Sequence, residues 1–181
     1  MLAYVFWHRP RTGVDIDAYE GALRAFHEAL GAEAIDGFHG SATHAVDALP
    51  WLGEGAAYED WYLLEAAFGL DGLGAAATSG RMKEPHARVA AMTGAMAAGL
   101  YGLALGKAAG GGHAAWFGKP HGESYEELYR RLEPHTGGTA SLWRRQFVLG
   151  PTPEFCLISD RPPPIEEATL VARPALQRDA T

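Results

Sequence analysis

Residues 5–13 read VFWHRPRTG, and residues 115–123 read AWFGKPHGE. Both stretches place two aromatic residues, one intervening residue, a basic residue and a proline in the same order. Because proline cannot donate a backbone hydrogen bond to a neighbouring strand, each stretch predicts a β-strand that ends at its proline. The correspondence aligns Phe6 with Trp116 and predicts an internal repeat.

The segment after each strand carries a helix start signal. Asp17 with Glu20, and Ser124 with Glu127, each fit a capping box, in which two side chains satisfy the first free backbone N–H groups of a helix. Apolar residues then recur at the spacing of one buried helix face. In the first half these residues are Tyr19, Ala22, Leu23, Phe26 and Leu30.

Further strand-like runs follow each helix. They lie at residues 37–46, 56–66, 140–150 and 154–160. The pattern in the first half then predicts a helix from about Pro85 to Met96 and a strand at residues 100–105. In the second half the corresponding helix is predicted to be short or missing. The order strand, helix, strand, strand, helix, strand is typical of a ferredoxin-like fold.

The sequence therefore predicts an α+β fold of two ferredoxin-like repeats, whose antiparallel sheets pack as an intrachain pseudo-dimeric α/β barrel. The predicted parts are a first repeat at 1–106, a glycine-rich linker at 107–112, a second, abbreviated repeat at 113–175 and a flexible tail at 176–181. A chance match between the halves is the alternative, because few aligned residues are identical.

Composition excludes several classes of protein. A hydrophobic content of 48% in 181 residues is enough for a packed core. The net charge of −7 disfavours nucleic acid and anionic membranes as partners. No apolar run reaches the roughly 18–20 residues of a membrane helix, and no signal peptide is evident. With a single cysteine, Cys156, the chain cannot form an internal disulfide. We therefore expect a cytoplasmic protein.

The stretch FWHRP at 6–10, followed by DIDAYEGALRAFHEAL at 15–30, resembles the dimeric α/β-barrel superfamily and especially its EthD-like members. Residues 60–80 and 85–90 are similar to the third strand and second helix of that group. The resemblance implies an apolar cavity, which the superfamily uses for cofactor-free oxygenation of aromatic polyketides, lactone isomerisation or haem chemistry. Fold alone does not choose among these activities.

His8 and Arg9, at the end of the first predicted strand, are the candidate catalytic residues. Histidine exchanges protons near neutral pH, and arginine binds a carboxylate or enolate. We expect a small apolar or aromatic molecule to be the ligand. The candidate substrate-binding residues are Tyr4, Phe6, Trp7, His39, Trp61 and His86. Tyr4, Phe6 and His8 share one strand face and Trp7 lies on the other, but the pattern does not indicate which face lines a cavity.

Other polar residues receive a structural interpretation. Glu59 and Asp60 are expected to end a turn, and His27 and His86 to be surface or capping residues of helices. The eight histidines include no close helical pair typical of a metal site, so we expect neither a metal nor a cofactor. Haem with His8, His39 or His86 as axial ligand is left as an alternative.

These observations favour a small cofactor-independent enzyme, EthD-like and resembling a monooxygenase or isomerase, that acts on an apolar or aromatic molecule in a barrel cavity. The alternative is a non-catalytic protein of the same fold that binds a small ligand or assembles, and the second alternative is a haem-binding member. The sequence also leaves a homodimer open. Because the alignment places Gly118 opposite His8, we expect the site in the first half.

Overall fold

The structure is a computed structural model that describes residues 1–47, 49–108, 110–146 and 150–178. It is an α+β structure with antiparallel strand pairs. The chain divides into two compact units: unit 1 contains Met1–Ala98 and the described residues from Ala175 onward, and unit 2 contains Gly99–Pro174. Within the described ranges, no helix is both long and apolar enough to cross a membrane.

The helices and strands follow one another in a simple order. In chain order they are β1 (Leu2–Pro10), α1 (Ile16–Gly31), β2 (Phe38–Val46), β3 (Ala57–Leu64), α2 (Gly69–Ala77), α3 (Lys83–Met92), β4 (Thr93–Gly106), β5 (His113–Phe117), α4 (Tyr125–Leu132), β6 (Ser141–Arg145), β7 (Phe155–Ser159), β8 (Thr169–Ala172) and β9 (Ala175–Arg178). The strand predictions for the first half are confirmed, including the end of β1 at Pro10. Of the predicted strand at 140–150, residues 147–149 lie outside the described residues.

In unit 1 the strands lie in the order β4-β1-β3-β2-β9. On β1 and β3, Phe6 is opposite Asp60 and His8 is opposite Tyr58. Residues directly opposite one another in an antiparallel pair point to the same face of the sheet, and neighbours along a strand alternate. Phe6, His8 and Asp60 therefore share one face, and this face packs against the helices of unit 1.

The two predicted capping boxes have different outcomes. The box of Ser124 and Glu127 is confirmed, with both reciprocal hydrogen bonds present. The box of Asp17 and Glu20 is wrong, because α1 begins two residues earlier and its N-cap is Asp15, whose side chain accepts the backbone N–H of Ala18 at 2.8 Å. The predicted apolar face of α1 is confirmed, and its residues are buried.

The predicted helix from Pro85 to Met96 ends early, because Thr93 begins a long strand. The alanines of this segment favour a helix, but pairing with residues distant in sequence makes it a strand. The backbone N–H of Arg11, just after β1, donates to the carbonyl of Met92 at 2.8 Å. Gly94 lies so close to this segment that a Cβ at this position would come within 3.2 Å of the Arg11 Cα.

The C-terminal residues also differ from the sequence-based interpretation. Residues 176–178, assigned to a flexible tail, belong to β9, which pairs antiparallel with β2. Leu176 packs against the buried cluster of Tyr19, Leu23 and Tyr58, which explains why this segment joins unit 1. Residues 179–181 of the predicted tail and Ala109 of the predicted linker lie outside the described residues.

In unit 2 the strands lie in the order β8-β5-β7-β6-β4. One face packs under α4 and is apolar. Its buried residues are Ala115, Phe117, Leu128, Leu132, Leu142, Phe155 and Leu157. Residues 161–168 form no helix, as the sequence predicts for the second half.

The glycines of α2 differ in what surrounds them, which gives a first prediction. A Cβ at Gly74 would meet no atom within 4 Å, whereas one at Gly69 would lie 3.1 Å from the Gly37 carbonyl oxygen. Alanine loses less backbone entropy than glycine in a helix, so Gly74→Ala is expected to raise the free energy of unfolding by about 0.5–1 kcal/mol. Gly69→Ala is the matched control and is expected to give no such gain. Urea denaturation of both variants measures the difference, and equal effects would contradict the description of α2.

Candidate functional site

Asp60 is the centre of a buried polar cluster on the helix-facing side of unit 1. His8 Nε2 lies 3.1 Å, and His27 Nε2 3.5 Å, from Asp60 Oδ2. The Tyr62 hydroxyl donates a hydrogen bond to the same oxygen at 3.1 Å. Asp60 is 2% exposed and both histidines are fully buried. One carboxylate oxygen therefore faces three polar side chains away from water.

Aromatic packing and a second polar contact fix each imidazole. The His8 ring lies between Phe6 and Tyr58, at centroid distances of 5.2 and 5.7 Å, and the His27 ring stacks on Tyr62 at 5.6 Å. His27 Nδ1 lies 2.7 Å from the Ser41 hydroxyl oxygen. These contacts turn Nε2 of both histidines toward Asp60.

A line of short contacts leads away from Asp60 through His8. His8 Nδ1 lies 2.6 Å from the Tyr19 hydroxyl oxygen, which lies 3.0 Å from Thr93 Oγ1. The Thr93 hydroxyl donates to the Val89 carbonyl at 2.9 Å. Asp60, His8, Tyr19 and Thr93 thus form a continuous chain of polar groups in contact with one another, which we call the polar chain.

Electrostatics keep Asp60 ionised. Burial on its own would raise the pKa of Asp60, but the positive charges of His8 and His27 and hydrogen bonds from both outweigh burial and hold it well below the ordinary value of 3.8. The carboxylate is therefore ionised in the protein without ligand, and two imidazoles lie beside it.

Tyr19 carries a neutral hydroxyl at physiological pH. The pKa of Tyr19 is raised to about 12, mainly by burial; the hydrogen bond with Thr93 acts in the opposite direction, and the negative charge of Asp60 contributes to the rise. A neutral hydroxyl donates one hydrogen bond and accepts others, whereas a phenolate only accepts. Tyr19 is therefore able to pass a proton between His8 and Thr93.

A cavity of about 410 Å³ lies on this face of unit 1. Four aromatic rings, those of Tyr4, Phe6, Phe26 and Tyr62, contribute to its wall, and α2 and α3 supply small and apolar residues. Asp60, Thr93 and His86 add polar groups. Small-molecule sites generally have volumes of about 300–1,000 Å³ and combine an apolar lining with a few polar groups. The cavity has both properties.

Asp60, which contributes to this wall, has one carboxylate oxygen, Oδ1, that lacks a hydrogen-bond partner among the described residues. This oxygen is buried. A buried acceptor without a partner costs about 1–3 kcal/mol, and more when it is charged. An N–H or O–H group of a bound molecule would satisfy this atom.

The candidate site residues of the sequence analysis lie in different places. Tyr4, Phe6 and His86 line the cavity, whereas His8 is fully buried and reaches it through Asp60 and the polar chain. The side chain of Arg9 donates to the Glu54 carbonyl, and His39 is exposed on β2.

Trp7 and Trp61 lie on the opposite face of the sheet. Their indole N–H groups donate to the two carboxylate oxygens of Glu59, at 3.0 and 2.6 Å. They do not line the unit 1 cavity. Their assignment to substrate binding stays a prediction.

Sequence reasoning missed Asp60 and His27, two residues of the cluster. Glu59 and Asp60 lie within β3 and are buried, so the prediction that they end a turn is wrong. The signal was present, because adjacent acids inside an aromatic-rich strand must point to opposite buried faces. His27 is buried rather than on the surface, and its spacing from Tyr19 and Leu23 by multiples of four places it on their helix face.

No protein-family model matches this chain, and no curated protein matches it either. Within residues 1–47, 49–108, 110–146 and 150–178, no group of three or more His, Cys, Asp or Glu side chains is placed to hold a metal ion. The interpretation of the site therefore depends on the geometry of the cavity and the polar chain.

Proposed function

We propose that this protein is a small cofactor-independent enzyme that binds an apolar or aromatic molecule in the unit 1 cavity. The observation that carries the proposal is that Asp60, an ionised residue whose Oδ1 is buried without a hydrogen-bond partner among the described residues, contributes to the wall of an apolar cavity. Buried polar groups are as a rule hydrogen-bonded, so an unsatisfied carboxylate oxygen on a residue that lines a cavity favours a bound donor.

The lining defines the chemical class of the ligand. Rings of Tyr4, Phe6, Phe26 and Tyr62 favour a flat, largely apolar molecule, which they contact at their faces and edges. The Asp60 carboxylate accepts a hydrogen bond from an N–H or O–H group on that molecule. Hydrogen bonds to charged groups contribute about 1.5–3 kcal/mol, so this single contact would select donors over ligands without one.

Each polar residue then has a separate role. Asp60 contacts the ligand, while His8, the acid/base residue proposed from the sequence, balances the carboxylate and holds a proton behind it. His27 and Tyr62 fix the position of Asp60 Oδ2 and leave Oδ1 for the ligand. Arg9, which contacts Glu54 outside the cavity, has no part in this scheme.

We also propose that unit 1 is the ferredoxin-like repeat of an EthD-like tandem barrel, supported by its order β4-β1-β3-β2.

The alignment of residues 5–13 with residues 115–123 needs a shift of one residue. Phe6 faces the helices, whereas Trp116 contacts Tyr101 and lies on the face opposite to Phe117. When Trp7 is aligned with Trp116, aligned residues point to corresponding faces of their sheets. The counterpart of His8 is then Phe117 and not Gly118. Unit 2 is then an apolar scaffold without the site.

The binding proposal is tested with a pair of matched probes, 2-naphthol and 2-methoxynaphthalene. They share the fused ring, but only the naphthol has an O–H donor. We expect wild-type protein to bind 2-naphthol about 10–100-fold more tightly, the value of one charge-assisted hydrogen bond. In Asp60→Asn this preference should fall by at least about tenfold. Fluorescence titration measures both affinities.

Two controls accompany this test. Circular dichroism establishes that Asp60→Asn is folded. The ratio of the two probe affinities in the wild type is the second control, because it does not depend on any variant. Equal affinity of the wild type for both probes, or no binding of either, would overturn the proposed function.

Two alternatives predict other results. A non-catalytic ligand-binding protein would bind 2-naphthol in the same way but convert no substrate. A haem protein would use His86, which lines the cavity wall, since both ring nitrogens of His8 already contact Tyr19 and Asp60. Haem added to the protein would then give a Soret band that His86→Ala removes. The cytoplasmic location and a homodimer stay predictions.

A further inference from the structure

We infer that Thr93 is a catalytic acid of this protein and that, together with Asp60, it moves a proton between two positions of an enolisable ketone. This inference deepens the proposed function and rests on it. The observation is that the two ends of the polar chain, Asp60 and Thr93, line the same cavity, while the residues between them are buried.

The donors and acceptors of the polar chain assign its hydrogens. The Thr93 hydroxyl donates to the Val89 carbonyl, so the Tyr19 hydroxyl donates to Thr93. The oxygen of Tyr19 then accepts from His8 Nδ1–H. His8 Nε2 faces a carboxylate and also carries a hydrogen. In this assignment both ring nitrogens of His8 carry a hydrogen, and the Nδ1 hydrogen is available to Tyr19.

Burial keeps this proton inside the protein. Neither His8 nor Tyr19 has any exposed surface, and Thr93 is 5% exposed. Water therefore does not reach the middle of the chain, and a proton that leaves His8 through Nδ1 passes through Tyr19 to Thr93. Its destination is a ligand in the cavity.

The proposed reaction begins with an apolar ketone whose carbonyl oxygen meets the Thr93 hydroxyl. Asp60 Oδ1 removes a hydrogen from the carbon next to the carbonyl, and the electron pair of that C–H bond forms a C=C bond. The Thr93 hydroxyl hydrogen leaves its bond with the Val89 carbonyl, turns to the carbonyl oxygen of the ketone and is transferred to it. Tyr19 reprotonates Thr93, and His8 Nδ1–H reprotonates Tyr19. The ligand becomes an enol, Asp60 a neutral acid and His8 a neutral imidazole.

The transfer from His8 is also what makes Asp60 an effective base. The charge of His8 is among the causes that hold the pKa of Asp60 low, against the effect of burial. When His8 loses its proton toward Thr93, that attraction disappears and the carboxylate becomes more basic. The two proton transfers therefore assist each other.

The cycle closes without any oxidant or reductant. When the enol is conjugated with a second C=C bond, Asp60 returns its proton to the far carbon of that system. The enol O–H proton goes back to Thr93, and Tyr19 and His8 recover theirs. The net change is a shift of one hydrogen and one double bond, which converts a β,γ-unsaturated ketone into its conjugated isomer.

The test uses 3-cyclohexenone, whose conjugated isomer absorbs more strongly in the ultraviolet. We expect the wild type to accelerate the conversion over buffer, with 2-naphthol as inhibitor, and Thr93→Val to lower kcat about 100-fold, the usual contribution of a positioned acid. Thr93→Ser keeps the hydroxyl and should keep most of the rate. Thr78→Val is the matched control, since its hydroxyl also donates to the carbonyl four residues earlier but lies outside the polar chain.

The possible failures are distinguishable. If 2-naphthol does not bind, the proposed function fails and this inference fails with it. If 3-cyclohexenone displaces 2-naphthol but is not converted, the proton transfer by Asp60 and Thr93 is overturned while the proposed binding site stands. If Thr93→Val converts it like the wild type, only the role of Thr93 is overturned. If 3-cyclohexenone does not displace bound 2-naphthol, the inferred class of ligand, an enolisable ketone, is wrong. Thermal denaturation of each variant establishes that it is folded.

Discussion

Asp60→Asn is expected to lower the free energy of unfolding by about 3–5 kcal/mol at neutral pH, the usual cost of breaking a buried ion pair on one side. The variant removes the negative charge that faces His8 and His27 but keeps the size of the side chain. Two imidazoles then remain buried without an opposite charge. Chemical denaturation of the variant and the wild type measures the loss, and Asp71→Asn, at an exposed position of α2, is the control.

The loss is expected to depend on pH with a definite sign. The pKa of Asp60 in the folded protein lies well below the ordinary value of 3.8, so its carboxylate stabilises the fold fully above about pH 4. As the pH falls from there toward the lowered pKa, the unfolded chain takes up the proton first and this stabilisation decreases. The difference between the wild type and Asp60→Asn should therefore shrink below about pH 4. A difference that is constant from pH 7 to pH 3 would contradict the assigned charge.

The same buried position should tolerate an entirely apolar cluster. Unit 2 packs Phe117, Phe155 and Leu157 on its helix-covered face. Replacing a buried ionic group with well-packed apolar residues is often neutral or stabilising. The triple variant His8→Phe, His27→Leu, Asp60→Leu should therefore be more stable than Asp60→Asn, while its preference for 2-naphthol over 2-methoxynaphthalene is lost. Higher stability together with loss of the binding preference would show that the buried charges serve ligand binding and not the stability of the fold.

The second large effect is expected from filling the cavity. Ala77, at the end of α2, lines it, whereas Ala75 on the same helix is exposed and does not. A phenyl ring at 77 would occupy space that a naphthalene ring needs, and we expect Ala77→Phe to weaken 2-naphthol binding more than about 100-fold, or roughly 2.8 kcal/mol. Ala75→Phe adds the same ring outside the cavity and should leave the affinity unchanged. Calorimetric titration of both variants provides the measurement.

Equal affinities of Ala77→Phe and the wild type would place bound 2-naphthol somewhere other than the unit 1 cavity. Equal weakening by Ala75→Phe and Ala77→Phe would indicate a general disturbance of α2. Either result would remove the support that the cavity gives to the proposed function.

Local patterns predicted much of the fold. The alternation and the terminal proline of β1, the apolar face of α1 and the capping box at Ser124 depend on residues close in sequence, and the structure contains all three. The length of β4 could not be predicted in this way. Its alanines and glycines favour no strand by themselves, and the close approach of Gly94 to Arg11 depends on residues far apart in the chain.

The site was less predictable than the fold. The sequence indicated His8 through its position at the end of an aromatic strand, but not the partners that determine its chemistry. Asp60 is 52 residues from His8 in sequence, and only the register of β1 with β3 brings them to the same face. Thr93 was predicted to continue a helix, and its role depends on the contact with Tyr19 where β4 begins.

A crystal structure of the protein with bound 2-naphthol would test the central claim most directly. We predict that the naphthalene ring lies against Phe6 and Tyr62 in the unit 1 cavity, with its oxygen about 2.5–3.0 Å from Asp60 Oδ1. Naphthol bound outside this cavity, or bound inside it with its oxygen directed away from Asp60, would contradict the account.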